Sequence, residues 1–274
     1  MANGKKVTPL FGSLAISLSL YFGLTLIKEN KALAIQSSTK PYVVVLDPGH
    51  GGTDIGASGK QGKKAVEEKD IALAIAFRAA KILSDPSYTK PLGRPVKVLL
   101  TRNADLYVSL EERAEIARSA NADLFVSIHS NSENTHKANG LETYFLNNTN
   151  DEAALKLQQI ENKGSKRAHT KAKVASLLIR SISADAVVES SRTAAEVLQS
   201  SMVDQLKKED LNFQDRGVRQ AMFYVLLDSQ VPAVLVESFF LSNKKDLALV
   251  TEPENRGRIA EGLAKGVLRF LAQK

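Results

Sequence analysis

Apolar and polar positions along this chain of 274 residues switch repeatedly between two periods. Short, nearly continuous apolar runs occupy Tyr42–Leu46, Val96–Thr101, Leu124–Ile128, Leu141–Leu146, Phe223–Leu227 and Ala233–Val236. Runs of that length rich in Val, Leu and Phe predict strands buried on both faces. Between them the period lengthens to that of a helix. Ile71, Ile75, Ala79 and Ile82 return on one face of a helix predicted over Glu68–Leu83. Ser109 followed by Glu112 forms a capping box that opens a helix running to about Ser119, and Arg256–Leu271 reads as a closing amphipathic helix. Alternating strands and helices predict an α/β fold: a single domain whose twisted mixed sheet of about six strands is flanked by helices.

One stretch breaks the alternation. From Asn147 to about Gln220 the chain is rich in Ala, Ser, Lys and Glu, with helical patterns and no strand signal. On residues alone this is a solvated helix pair or a lid. At the other end, Lys5 and Lys6 precede an uncharged stretch from Val7 to Ile27, and Ala32-Leu33-Ala34 has the form of a signal-peptidase site. Residues 1–34 are therefore expected to be a signal peptide or an N-terminal anchor. The apolar run approaches the roughly 20 residues that span a bilayer. Residues 35–274 would form the single folded domain of an exported protein.

Composition narrows the chemistry. The chain has no cysteine, which excludes disulfides, thiolate-held zinc and a cysteine nucleophile. The net charge is +7, of which residues 1–34 supply +3. The remaining +4 is spread too thinly for nucleic acid and suits an anionic envelope. Gly49-His50-Gly51-Gly52 follows a strand, but Asp54 stands where a dinucleotide fingerprint needs its last glycine, and no P-loop Lys-Ser/Thr follows.

What remains is a set of strand-end residues. His50 and His129 each follow an apolar run, and a third run ends in Glu237. Ligands bind beyond the carboxyl ends of strands in open α/β sheets, so these three residues should meet at one sheet edge. Two imidazoles and a carboxylate leave a fourth position open in a catalytic zinc site. Spacing leaves the third ligand open: Glu67 and Glu68 are better read, on spacing alone, as serving the helix dipole, and Asp47 and Asp54, which flank His50, are rival ligands or groups that support a ligand. The other histidines, His136 and His169, lie in polar surroundings and read as surface residues. Glu237 follows Ala233-Val234-Leu235-Val236, where an unpaired charge is costly. It is either a proton carrier with a raised pKa or the partner of an arginine such as Arg216 or Arg102.

Taken together, the segments LDPGHGGTDIGASG, EEKDIALAIA, LLTRNADLYVSLEERAEIARSANADLFVSIHSNS, GLETYFL, RGVRQAMFYVLL and VPAVLVESFFLSN resemble the zinc-dependent N-acetylmuramoyl-L-alanine amidases of the amidase-3 family. The resemblance runs from Val43 to Asn243. It implies one Zn2+ held by His50, Glu68 and His129, with Glu68 chosen because Lys69-Asp70 follows it. It makes Glu237 the catalytic glutamate. It also implies hydrolysis of the amide between N-acetylmuramic acid and L-alanine in peptidoglycan, in the periplasm or cell envelope. Ser238-Phe239 departs from the more usual Thr-Gly and puts a bulky residue beside Glu237. Cell-separation members similar to this chain carry a helical insert that occludes the zinc until an activator protein displaces it. About residues 150–189 would be that insert here, with Glu161 its capping ligand. Competing readings are a zinc peptidase trimming stem peptides, which would release single amino acids, and an inactive envelope-binding homologue.

Overall fold

The computed structural model describes Met1, residues 40–165 and residues 182–274. The expected signal or anchor in residues 1–34, part of the expected insert, and His169 lie outside the described residues. Eight strands are present in the described chain: β1 (Tyr42–Pro48), β2 (Ser58–Gln61), β3 (Lys64–Glu67), β4 (Val96–Leu100), β5 (Leu124–Asn131), β6 (Leu141–Leu146), β7 (Asp215–Ala221) and β8 (Ala233–Phe240). The helices are α1 (Glu68–Leu83), α2 (Pro86–Thr89), α3 (Leu110–Ser119), α4 (Glu152–Glu161), α5 (Ile182–Lys208), α6 (Tyr224–Ser229), α7 (Lys244–Thr251) and α8 (Pro253–Leu271).

Six strands form one sheet in the order β4-β1-β5-β8-β6-β7, and β2 and β3 make a separate hairpin. The first four strands of the sheet are parallel. Strand β6 runs antiparallel to β8, and β7 runs parallel to β6. The carboxyl ends of β1, β5 and β8 therefore share one edge with the amino ends of β6 and β7.

Helices cover both faces, as alternating side chains of the strands require. On one face Val44, Leu46, Val126, Ile128, Val234 and Val236 pack against α1, α5, α7 and α8. The period of Ile71, Ile75 and Ala79 predicted this for α1, and Ser109 caps α3 with Glu112 as expected. Each fully buried Ile or Leu on these helices contributes roughly 1.5–3 kcal/mol. On the other face Val43, Val45, Phe125, Tyr144 and Leu235 meet the smaller helices α3, α4 and α6.

Two expectations are corrected. Phe223–Leu227 is not a strand: Phe223 precedes the short helix α6, whose Val225, Leu226 and Leu227 are buried in the second core. A short, almost wholly apolar run carries no period that separates strand from helix. The sixth strand is instead β7, inside the stretch expected to hold none. Its sequence, DRGVRQA, is charged because it lies at the sheet edge, where charge discourages further pairing.

The register between β5 and β8 breaks just beyond the paired residues His129 and Glu237, where Asn131 pairs with Phe240. Ser238 and Phe239 thus stand opposite Ser130 alone, a bulge that bends β8 directly after Glu237. Phe239 sits at φ +76° and is fully buried, its ring edge-on to Phe213 at 5.8 Å between centroids. Here the departure from the usual small residue has a measurable cost. A left-handed backbone costs a bulky L-residue on the order of 1–2 kcal/mol, and burial of the ring outweighs it. Phe239→Gly should relieve that strain yet lose roughly 3–5 kcal/mol of packing. The net result is a less stable protein, read as a lower urea midpoint; a midpoint equal to or above wild type would show that strain dominates.

Candidate functional site

The loop after β1 is the mount of the site. His50 adopts φ +57°, a conformation that a non-glycine residue needs a reason to hold. The reason is two buried guanidiniums. Arg113 donates to the carbonyls of Pro48, His50 and Val108 at 2.7, 2.7 and 2.9 Å, and to Asp47 Oδ1 at 2.7 Å. Arg102 donates to the carbonyls of Pro48, Gly49 and Lys69 at 2.9, 2.8 and 2.7 Å. Three successive carbonyls that no strand satisfies are thereby bonded, and α1 is tied to the same loop. Asp47 faces Arg113, Thr101 and Ser127, not the histidines. Burial raises its pKa, but Arg113 and the two hydroxyls hold it below the ordinary carboxylate value.

His50, Glu68 and His129 come together beside this loop. Glu68 is the first residue of α1, so its carboxylate also benefits from the helix N-terminus. Its Oε1 lies 2.9 Å from His129 Nδ1 and accepts the Ser130 amide at 2.9 Å. Its Oε2 lies 3.1 Å from His50 Nε2 and accepts the Ala57 amide at 2.7 Å. A fourth group enters from α4: Glu161 Oε2 stands 3.5 Å from His50 Nε2 and 3.1 Å from His129 Nδ1. One ligand atom from each of the four residues lies within 4.8 Å of the others. Glu67 remains outside, 3.5 Å from Lys69 Nζ, and His136 bonds the carbonyl of Ser242 at 2.8 Å. Asp54 orients His50, its Oδ2 2.9 Å from Nδ1, which leaves Nε2 facing the cluster.

These residues fit a metal ion. His50 Nε2 is buried and makes no hydrogen bond of proper geometry, although carboxylate oxygens surround it. The cradle is shaped for it too: a Cβ on Gly49 would fall 2.4 Å from the His129 ring, and one on Gly56 would fall 2.4 Å from Glu68 Oε2. The charges of the cluster lean on one another. Burial lowers the pKa of His50 and His129, but Glu68 raises the first and Glu161 the second, each to about 10. Burial raises that of Glu68, while His50 and His129 hold it far below the usual range. Two imidazoles forced into the cationic form by two carboxylates are what a divalent cation would replace. The cleft is about 500 Å³, with Tyr107, Asn131, Ile160 and Glu161 among its walls.

Glu237 is wholly buried and, among the described residues, neither carboxylate oxygen has a hydrogen-bond partner. The arginine pairing considered for it is absent. Arg102 serves the β1 loop, and Arg216 Nε donates to Glu142 at 2.7 Å. Burial pushes the pKa of Glu237 well up, and the charges of Glu161, Glu68 and Glu142 push it further. Glu237 pairs with His129 on one side and with Glu142 on the other. Asp47, Ser127, His129, Glu237 and Glu142 thus continue, as a polar band, the sheet face whose opposite end holds Val43, Phe125, Leu235 and Tyr144.

The family of this arrangement follows from comparison with known proteins. A family profile for N-acetylmuramoyl-L-alanine amidase matches residues 44–269. The chain belongs to the N-acetylmuramoyl-L-alanine amidase family. This amidase is 34% identical over 230 residues to the N-acetylmuramoyl-L-alanine amidase AmiA of Escherichia coli strain K12, covering 83% of this chain and 75% of that one. The crystal structure of an N-acetylmuramoyl-L-alanine amidase from Clostridium difficile 630 is similar at TM-score 0.64 and 30% identity, covering 86% of this chain and 100% of that one. The CwlD amidase from Clostridioides difficile, solved in complex with the GerS lipoprotein, is similar at TM-score 0.58 and 25% identity, covering 85% of this chain and 100% of that one. Hydrolysis of the amide joining N-acetylmuramic acid to L-alanine in peptidoglycan is accordingly its reaction, and the sheet with its flanking helices is the fold of these relatives.

Several residues that build the amidase site carried little signal in the chain. Arg113 lies within an ordinary charged helix pattern and Arg102 just beyond a strand; only their burial, 2% and 3% exposed, marks them as structural. Of the two readings open for Asp54, ligand or support of His50, its position against the His50 ring favours the second. Glu142, which pairs with Glu237 across the sheet, is met by Arg216 from β7, the strand that periodicity missed.

Proposed function

We propose that this amidase uses one zinc ion held by His50, Glu68 and His129, that Glu237 carries the proton, and that Glu161 caps the ion at rest. The observation that supports this reading is the meeting of donor atoms from four separate elements beside a buried carboxylate with no hydrogen-bond partner among the described residues. Two histidines and a glutamate are a known catalytic zinc set. Zinc bound there supplies Lewis-acid polarisation of the amide carbonyl and lowers the pKa of water towards ~7.

The chain's own residues do the rest. Asp54 fixes the His50 ring so that Nε2, not Nδ1, faces the cluster. Glu237, with its proton affinity raised by burial, takes one proton from the water that adds to the lactyl carbonyl carbon. It returns that proton to the amide nitrogen as the carbon–nitrogen bond breaks. The products are a lactyl carboxylate on the glycan and a free amine on L-alanine. The low dielectric around Glu237 keeps both transfers from being lost to bulk water.

Helix α4 supports a resting, covered state. It is held by two buried apolar residues, Ala154 and Leu157, and by polar clips. Gln158 accepts the Met222 amide at 2.7 Å, and Asn162 bonds both the Met222 carbonyl and the Tyr224 amide at 2.8 Å. So little apolar burial makes for a segment that opens at low cost. About residues 150–189 then act as an autoinhibitory insert, displaced by an activator protein. Residues 1–34 direct residues 35–274 to the periplasm or cell envelope, as a cleaved signal or an anchor.

Two outcomes are expected. Glu237→Ala should retain one zinc per chain by elemental analysis and lose roughly 10²–10⁴-fold in activity on purified peptidoglycan; full activity in that variant would remove Glu237 from the mechanism. Glu161→Ala should release muropeptides at least several-fold faster than wild type without an activator. A folded, zinc-loaded Glu161→Ala that stays as slow as wild type would end the capping role.

A further inference from the structure

Beside the cluster stands a group of charges that amide hydrolysis itself does not use. Glu142 on β6 is 1% exposed, yet two guanidiniums share its Oε2: Arg216 Nε at 2.7 Å and Arg219 Nη1 at 3.3 Å. Its Oε1 accepts from Asn131 Nδ2 and from the Tyr144 hydroxyl, each at 2.9 Å. Arg216 answers Glu142 and also feels the buried Asp246, which leaves the charge of Arg219 in surplus. Among the described residues the ion pair that offsets it is Arg219 Nη2 with Asp151. Asp151 is the residue that caps α4, its Oδ1 accepting from the amides of Ala153 and Ala154 at 2.9 and 3.2 Å. Both arginine side chains keep about a quarter of their surface open, at 23% and 24%.

The two ends of α4 therefore do parallel things. Glu161 at the carboxyl end sets a carboxylate among the metal-ligand candidates, and Asp151 at the amino end sets another on Arg219. We propose that Arg219, backed by Arg216, is a receptor for a carboxylate on the peptide side of the substrate, and that Asp151 fills it at rest as a stand-in. The proposal rests on the reading that α4 covers the site and leaves it in the active enzyme. Once α4 leaves, the surplus charge faces the groove where the peptide must lie. A guanidinium matches a carboxylate with a planar fork of donors and discriminates it from a neutral amide.

The distances suit a short peptide. Glu142 lies opposite Glu237 on the neighbouring strand, and β7 is the next strand outward. At about 4.8 Å per strand, the β7 backbone is roughly 10 Å from that of Glu237. From Asp151 to Glu161 the helix rises about 15 Å. An extended peptide covers 10–15 Å in about three to four residues. A carboxylate carried that far beyond the scissile amide reaches Arg219, and the carboxylates of stem peptides are either free or converted to amides.

The test compares two muramoyl-tetrapeptides, one with free carboxylates and one with the same carboxylates as primary amides. The enzyme is the full, zinc-loaded chain, as wild type and in the Glu161→Ala background. The free acid should be favoured tenfold or more in kcat/KM, chiefly through KM. Arg219→Gln should erase that preference by slowing the free acid alone, and Arg219→Lys should restore part of it. Asp151→Asn, which still caps the helix, should speed the free acid several-fold more than the amide. A preference that survives Arg219→Gln, or a loss shared equally by both substrates, would overturn the receptor. Failure of Glu161→Ala to accelerate either substrate would refute the covering role of α4, while the ratio between substrates still decides the role of Arg219.

Discussion

Two arginines buried against backbone carbonyls are the constraint on which the rest of this site depends. The chain leaves β1 and turns back on itself within three residues, at a point where no neighbouring strand can take its carbonyl groups. Arg102 and Arg113 take them, and Asp47 offsets the charge of Arg113 in an interior nearly closed to water. Removing one member of such a buried pair typically costs about 3–5 kcal/mol, because the other is left uncompensated. Here the penalty would fall on catalysis as well as stability, since the loop so held carries His50 in a left-handed conformation.

From that loop the polar band crosses the sheet strand by strand, and each member is buried in exchange for a defined partner or a defined task. Asp47 has its arginine, Glu68 two backbone amides, and Glu142 two guanidiniums. Glu237 alone has no hydrogen-bond partner among the described residues. Burial without a partner raises the proton affinity of a carboxylate, which suits a group required to take up and give back a proton. The bulge at Ser238-Phe239 belongs to the same logic. It aims the end of β8 away from a regular ladder, and Ser238 Oγ closes the gap by donating to the His129 carbonyl at 2.6 Å.

How much of this was legible in the chain depended on where apolar residues end. His50, His129 and Glu237 stood out because each follows a buried strand, and the shared edge of parallel strands does bring them side by side. The third member, Glu68, could not be separated from Glu67 by spacing; family resemblance pointed to it, and it is the one whose carboxylate reaches both histidines. Strand β7 was invisible because a charged edge strand has no apolar alternation, and Phe223–Leu227 was misread because an almost wholly apolar run carries no period. Arg102, Arg113, Arg216 and Arg219 act through contacts between residues dozens of positions apart, which no local pattern encodes. The meaning of Phe239 emerged only with its positive φ, which turns an unusual residue into a strained one held by packing.

The central claim is that two imidazoles and a helix-starting carboxylate form a metal centre. It is tested most directly by X-ray absorption at the zinc edge of the full chain loaded with one equivalent of zinc. The account predicts imidazole scattering from two rings with nitrogen and oxygen neighbours at roughly 2.0–2.2 Å, and half that imidazole signal in His129→Ala. A spectrum without imidazole scattering, or one unchanged by His129→Ala, would contradict it.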